Sequence, residues 1–474
     1  MPAMHETSIG PEMSNEGPTR RQFLTTVGAA GLMLAGAPSR SLWAQAAAPT
    51  ADTVLRIGPV ALELAPGRIV QTVGYNGTAP GPLLRCREGQ QVTIEVRNAT
   101  RLPDLAHWHG LFVPSEVDGA MEEGTPMIMP GQSATYTFTA APAGTRWYHS
   151  HVMAGKDLTQ SLYSGQYGFL IIDPKTDPGR YDQEVFLAIH HWEPYFYSVQ
   201  DVRQGPPPDN GLEVGYRAAS FNDRMLGQGE PIRVREGQRV LFRLLNASAT
   251  DDAMVALPRH RFTVLALDGN PVPSPQTVDT LMLAPGERID AMVEMTRPGV
   301  WVFGSTKDEE RAMGLGVVVE YANATGAPQW QAPPMVMWDY TQFGRPASGP
   351  EPDGRFELLV QKIPGGRGGF NRWTINGKSW PDTDPLRVQA GKRYRLRFRN
   401  DSGDMHPMHL HRHSVELISL AGKPTAGVVK DVVNVPRRQT AEVDFVADHP
   451  GPSLLHCHMQ EHQDFGFMVL VQYS

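Results

Sequence analysis

Cysteine is nearly absent: Cys86 and Cys457 are the two in 474 residues, which excludes a disulfide framework. Long apolar runs are missing as well. No stretch of about 18 apolar residues exists beyond the N-terminal segment, so the mature chain is expected to carry no integral membrane segment. Positive charge is in deficit, with 43 Lys+Arg against 50 Asp+Glu and a formal net charge of −7. Nucleic acid is excluded as a partner, because it asks for a clustered basic face. What the sequence has in quantity is turn formers, 47 Gly and 41 Pro. That surplus over average usage disfavours long helices and points to many short strands.

The first segment reads as an address. Thr19-Arg20-Arg21-Gln22-Phe23-Leu24 precedes a weakly apolar stretch from Val27 to Ala37, and Ala44-Gln45-Ala46 has the small-x-small form of a cleavage site. The pattern is that of a signal peptide over residues 1–46, too short to span a bilayer. Its paired arginines indicate the twin-arginine route, which exports folded proteins, and hence a periplasmic or secreted location.

Beyond it, one unit is written three times. Gly89–Asn98 recurs as Gly237–Asn246 and again as Gly391–Asn400, at offsets of 148 and 154 residues, the spacing of domains. Pro82-Leu83-Leu84-Arg85, Pro231-Ile232-Arg233-Val234 and Pro385-Leu386-Arg387-Val388 lead into the copies. Further upstream, Tyr75-Asn76-Gly77, Phe221-Asn222 and Ile375-Asn376-Gly377 read as turns. Met129–Phe138, Leu283–Met292 and Val435–Phe445 follow as a second matching set. These segments alternate at period two and are rich in Val, Thr, Phe and Tyr, so they are strands. The pattern predicts an all-β protein of three tandem Greek-key β-sandwich domains, at residues 47–175, 176–326 and 355–474. The Pro/Gly-rich stretch 327–354 reads as a linker.

Nine of the sixteen histidines form five His-x-His pairs, at 107/109, 149/151, 409/411, 411/413 and 456/458, with His411 shared, where chance supplies about half of one. In a strand, residues i and i+2 share a face, so each pair offers two imidazoles to one site, a ligand type suited to Cu, Zn, Fe or Ni. His107 and His109 follow Asn98, and His409 and His411 follow Asn400; His149, His151, His456 and His458 follow the later strands of the same two copies. The matching places of the second copy hold Ala247-Ser248-Ala249-Thr250 and Trp301–Ser305. Copies one and three are therefore expected to share a multi-ion histidine cluster at their interface, with copy two as a spacer. Parity supplies a second site. Cys457 faces away from His456 and His458, His406 has the parity opposite to His409 and His411, and His462 follows closely. Two His and one Cys are the set of a blue-copper electron-transfer site. A zinc site would want a fourth strong ligand, and none stands near Cys457.

The ordered motifs His107-Trp108-His109-Gly110, His149-Ser150-His151, His406-Pro407-Met408-His409-Leu410-His411 and His456-Cys457-His458 with His462 resemble those of the multicopper oxidases, the group of laccases and bacterial copper-tolerance oxidases. The resemblance runs from about Ala47 to the C-terminus. It implies cupredoxin-like domains and four coppers per chain. His406, Cys457 and His462 would hold a type 1 copper, and His107 and His409 a type 2 copper. His109, His149, His151, His411, His456 and His458 would hold a type 3 pair. It implies one-electron oxidation of a phenol or aromatic amine (laccase-like), or of Cu(I), coupled to four-electron reduction of dioxygen to water. The complete ligand set argues against a non-enzymatic interaction protein, and three sandwiches per chain argue against a copper nitrite reductase. Asp118 matches a family acid near the type 2 copper, or else makes a plain Asp-Gly turn with Gly119. Two positions depart from the bacterial pattern. Phe467 stands where an axial Met is common, with Met468 pointing the other way by parity. Gln463 stands where an acid follows the last ligand, leaving Asp464 or Glu461 to take that role. His413 is read as structural, Cys86 as a buried free thiol, and the dispersed methionines as core filling. No Met lies between Met337 and Met405, so a Met-rich insert in the third domain is absent.

Overall fold

The computed structural model describes residues 53–176, 179–198, 211–334, 337–347, 349–365 and 369–474. The signal-peptide reading of residues 1–46 lies outside the described residues.

The repeated unit occupies the same place three times. Gln91–Asn98, Arg239–Asn246 and Arg393–Asn400 each form a central strand. Each pairs antiparallel with the strand of its second repeated segment, Ser133–Thr139, Arg288–Glu294 or Thr440–Val446. On the other side each runs parallel to the strand that opens its sandwich, Thr53–Ala65, Gln183–Trp192 or Gly354–Ile363. A parallel pair cannot be closed by a hairpin, so the chain crosses between sheets in Greek-key fashion. A second sheet covers each first one. In the first sandwich, Leu55, Ile94 and Phe138 of one sheet pack with Trp108, Tyr148 and Leu170 of the other.

Asparagines fix the repeat in detail. Asn76, Asn222 and Asn376 adopt left-handed φ of 53°, 54° and 52°, which Asn tolerates in turns. Their Nδ2 groups donate to the carbonyls of Val54, Phe186 and Glu357, at 2.9 Å in every case. Asn98, Asn246 and Asn400 close the central strands. Asn98 donates to Leu102 and Ile128, Asn246 to Asp251 and Leu283, and Asn400 to Asp404 and Pro436, all through backbone carbonyls. In the first and third sandwiches the loops held this way lead directly into His107–His109 and His406–Leu410.

One apolar core spans the second and third sandwiches. Within the stretch 327–354, the turn Tyr340–Phe343 contributes Tyr340 and Phe343 to that core. Met295, Met408 and Met468 fill core as expected, whereas Met121 and Met129 are 56% and 46% exposed. Cys86 is buried and its Sγ lies 3.9 Å from the Ile171 carbonyl; burial pushes the thiol up to about 12.

Candidate metal centres

Strand register brings the histidines together. His107 lies across from His149, and His109 across from Trp147. In the third sandwich His409 lies across from His456, and Met408 across from Cys457. Cross-strand partners share a face, so His409 and His456 point to one side and Cys457 to the other. His406, two residues before Met408, shares the face of Cys457 despite Pro407.

On the first side, eight buried imidazoles converge where the first and third sandwiches meet: His107, His109, His149, His151, His409, His411, His456 and His458. His107 stacks on His411 at 4.0 Å between ring centroids and His109 on His409 at 3.8 Å. His411 Nε2 and His456 Nε2 are 3.0 Å apart, and His151 Nε2 and His456 Nε2 3.4 Å. Burial holds His109, His149, His151, His409, His411, His456 and His458 well below the ordinary histidine value. Neutral imidazoles carry lone pairs. His107 Nε2, His151 Nδ1, His409 Nε2 and both ring nitrogens of His458 are buried without a hydrogen-bond partner, a costly arrangement unless a cation takes those lone pairs. Among the described residues, sets such as His107–His409–His411 and His151–His411–His456 bring their ligand atoms within 4.8 Å of one another. The donor set fits copper.

The outer contacts fix which nitrogen faces inward. His107, His149, His409 and His456 donate Nδ1–H to the backbone carbonyls of Asp118, Ser150, Asp431 and Cys457, at 2.8–2.9 Å, which leaves Nε2 to the cluster. His109 is reversed. Its Nε2 meets the Asp431 carboxylate at 3.0 Å, and its Nδ1 lies 3.4 Å from His149 Nε2. His411 Nδ1 meets Asp118 Oδ2 at 2.8 Å and Glu123 Oε1 at 3.3 Å. Asp118 therefore does more than make a turn with Gly119.

On the second side, His406 Nδ1, Cys457 Sγ and His462 Nδ1 form a triangle with edges of 3.3, 3.4 and 3.9 Å. The chain turns through the short helix Gln460–Asp464 directly after Cys457, and that turn returns His462 to the sulfur. Ser402 Oγ holds His406 Nε2 at 2.7 Å. Burial pushes the Cys457 thiol well above its ordinary value, so a thiolate here needs a cation beside it. The Phe467 ring lies 5.0 Å from His406 and, like Trp373, is buried. Met468 pairs with His456 in the strand register, on the face away from Cys457.

The other singled-out residues sit apart from the imidazoles. Asp464 accepts from Gln460 Nε2 and from the amides of Ala154 and Gly155, just beyond His151, and burial pushes it up to about 7. Glu461 is buried with Oε1 unpartnered. His413 meets the His411 carbonyl and the Tyr473 hydroxyl, a structural position. Asp431 and Glu123 were not foreseen. Asp431 carries a legible signal, the pair Lys430-Asp431 inside an otherwise apolar run from Val428 to Val433. Glu123 carries none.

Comparison with known proteins agrees with this geometry. Three family models described as multicopper oxidase match residues 59–177, 192–323 and 359–474. The multicopper oxidase MmcO of Mycobacterium tuberculosis is 30% identical, with 96% of each chain covered. Laccase-2 of Botryotinia fuckeliana is 28% identical, over 83% of this chain and 77% of that one. Copper resistance protein A of Pseudomonas syringae pv. tomato is 27% identical, over 69% of this chain and 60% of that one. Among solved structures, a multi-copper oxidase from Pseudomonas thermotolerans superposes with a TM-score of 0.70 at 26% identity, covering 89% of this chain and 99% of the other. The chain belongs to the multicopper oxidase family. It is a copper-dependent oxidoreductase that couples one-electron oxidation of a reducing substrate to the reduction of dioxygen to water.

Proposed function

We propose that this oxidase is laccase-like and takes its electrons from phenols or aromatic amines. The domain limits 47–175, 176–326 and 355–474 are part of this reading, as is export of the mature chain after removal of residues 1–46. His406, Cys457 and His462 hold a type 1 copper; His107 and His409 hold a type 2 copper; His109, His149, His151, His411, His456 and His458 hold a type 3 pair. The observation that supports this ligand assignment is the set of buried imidazole nitrogens without a hydrogen-bond partner, in a cluster whose ligand sets bring their atoms within 4.8 Å of one another. Copper bound there supplies one-electron redox chemistry, four electrons and four protons turning one dioxygen into two waters.

The chain's own residues divide the work. Cys457 lies between His456 and His458, so the backbone links both sites without a gap. Asp118 touches His411 and stands beside the cluster as a proton-holding group, while Asp464 stands a step back, at the end of the helix Gln460–Asp464, where it accepts from the loop after His151. For the donor, Trp373 packs at a tilt on His462, 3.9 Å between ring centroids, and Phe370 stacks on Phe465 at 4.5 Å. An aromatic surround of that kind suits flat, electron-rich rings. Likeness to copper resistance protein A supports a second reading, in which Cu(I) is the donor. Oxygen uptake by copper-loaded protein, with a phenol panel and Cu(I) side by side, decides between them. Phenol oxidation without added copper upholds the first reading; strict dependence on added copper moves the assignment to the second.

A further inference from the structure

The second sandwich holds none of the cluster histidines, yet its turn between Leu281–Leu283 and Arg288–Glu294 lies against them. Gly286, at φ +85°, presses its backbone on the His458 ring: a Cβ there would meet Cδ2, Cγ and Nε2 at 2.7, 2.8 and 2.9 Å. Two residues on, the fully buried Arg288 reaches across the domain boundary. Its Nη1 and Nη2 donate to Asp431 Oδ1 and Oδ2 at 2.6 and 2.5 Å, a bidentate clamp. Nη1 also donates to the Gly286 carbonyl at 2.8 Å, so the clamp braces its own turn.

Asp431 is where this matters. The same carboxylate holds His109 Nε2 at 3.0 Å, and the Asp431 carbonyl holds His409 Nδ1 at 2.8 Å. His109 is the reversed imidazole, and the carboxylate on Nε2 keeps its Nδ1 lone pair inward. The glycine that follows the first His-x-His has its reason here as well. A Cβ on Gly110 would sit 2.5 Å from Asp431 Oδ2 and 2.8 Å from Arg288 Nη2. The surrounding charge is closed within the protein. Arg146 lies 3.3 Å from Asp431, and Lys430 lies 2.9 and 3.0 Å from Asp268 and Glu287, all of them buried. Breaking one member leaves a buried charge uncompensated.

We propose that Arg288 and Gly286 are positioning residues of the histidine cluster: Arg288 aims His109 through Asp431, and Gly286 seats His458. The copper-free sandwich is thus one wall of the dioxygen site rather than a spacer. This inference rests on the ligand reading of His109 and His458 given above.

The test is copper binding by full-length Gly286→Ala and Arg288→Lys, read by metal content, by titration with copper and by the blue absorption of the Cys457 centre. Lysine keeps the charge of Arg288 but not its fork. Loss of an outer-shell partner lowers metal affinity by about 10–100-fold, so both variants should bind copper at the cluster that much more weakly. Blue absorption should stay at wild-type level, and although strain at position 286 and the lost fork at position 288 lower the melting temperature, both variants should remain folded at the assay temperature by circular dichroism. Wild-type affinity at the cluster in both variants would overturn the proposal. Loss of the blue centre together with the cluster would overturn it too, since Arg288 and Gly286 would then only support the fold. Wild-type protein that carried copper at the Cys457 centre alone would fail the underlying ligand reading, a result seen before any variant is made.

Discussion

Asp118 Oδ2 meets His411 Nδ1 at 2.8 Å, bridging 293 residues between the first and third sandwiches. The carboxylate orients a cluster imidazole, as the Asp431 carboxylate does at His109, and Glu123 stands at the same ring. General acid–base groups contribute about 10²–10⁴-fold. Asp118→Asn keeps an oxygen that accepts from His411 Nδ1, so it should retain its cluster copper while slowing reoxidation by dioxygen at least about 10²-fold. Stopped-flow reoxidation of the reduced protein measures this, and an unchanged rate would remove Asp118 from proton supply.

Cys457 sits at the apex of the smaller site, 3.4 Å from His462 Nδ1. Its thiolate is the source of blue absorption in a His₂Cys copper centre. Cys457→Ser should be colourless and folded, with cluster copper retained. A variant that stayed blue would sink the type 1 assignment.

His458 belongs to the other face of the same strand end, with both ring nitrogens free of hydrogen bonds. His458→Ala should abolish oxygen uptake while the blue centre still bleaches when a donor is added. Full oxygen uptake in this variant contradicts the cluster reading.

Phe467 packs its ring 5.0 Å from His406, at the position where the family resemblance expects a thioether. A thioether donates electron density and favours Cu(II), whereas a phenyl ring cannot coordinate. Phe467→Met should lower the type 1 potential in a redox titration. Met468→Leu, on the opposite face, should leave it nearly unchanged; a large rise there would identify Met468 as the ligand.

The copper-free protein should be acid-sensitive. Burial depresses His109, His149, His151 and His409 well below their ordinary value of 6.5. Unfolding releases them to bind protons, so the unfolded chain holds more protons below 6.5. Their stabilising contribution is complete above 6.5 and is lost as pH falls below it, with a slope of up to about 1.4 kcal/mol per pH unit for each histidine. Urea unfolding of the copper-free protein at about pH 7.5 and about pH 5.5 checks this. Equal stabilities at both values would mean that the imidazoles are charged in the folded state.

Much of this architecture was already legible in residue order. Alternation at period two assigned His456 and His458 to one face and Cys457 to the other, because a strand has no third direction for a side chain. The repeated Gly-to-Asn segment placed a central strand in each sandwich, and the histidines of the first and third copies marked the interface between them. These are local regularities, set by backbone geometry over a few residues. The tertiary structure alone decided what stands behind the ligands. Asp431 reaches His109 across 322 residues, Arg288 enters from a sandwich without ligands, and Glu123 arrives from a turn with no motif. The turn Tyr340–Phe343 sends Tyr340 and Phe343 into the core, and the five-residue helix Gln460–Asp464 returns His462 to Cys457. Such contacts follow from which surfaces meet when three domains dock and from where a buried charge finds its partner. Both depend on the whole packed chain, and no periodicity in the sequence encodes them.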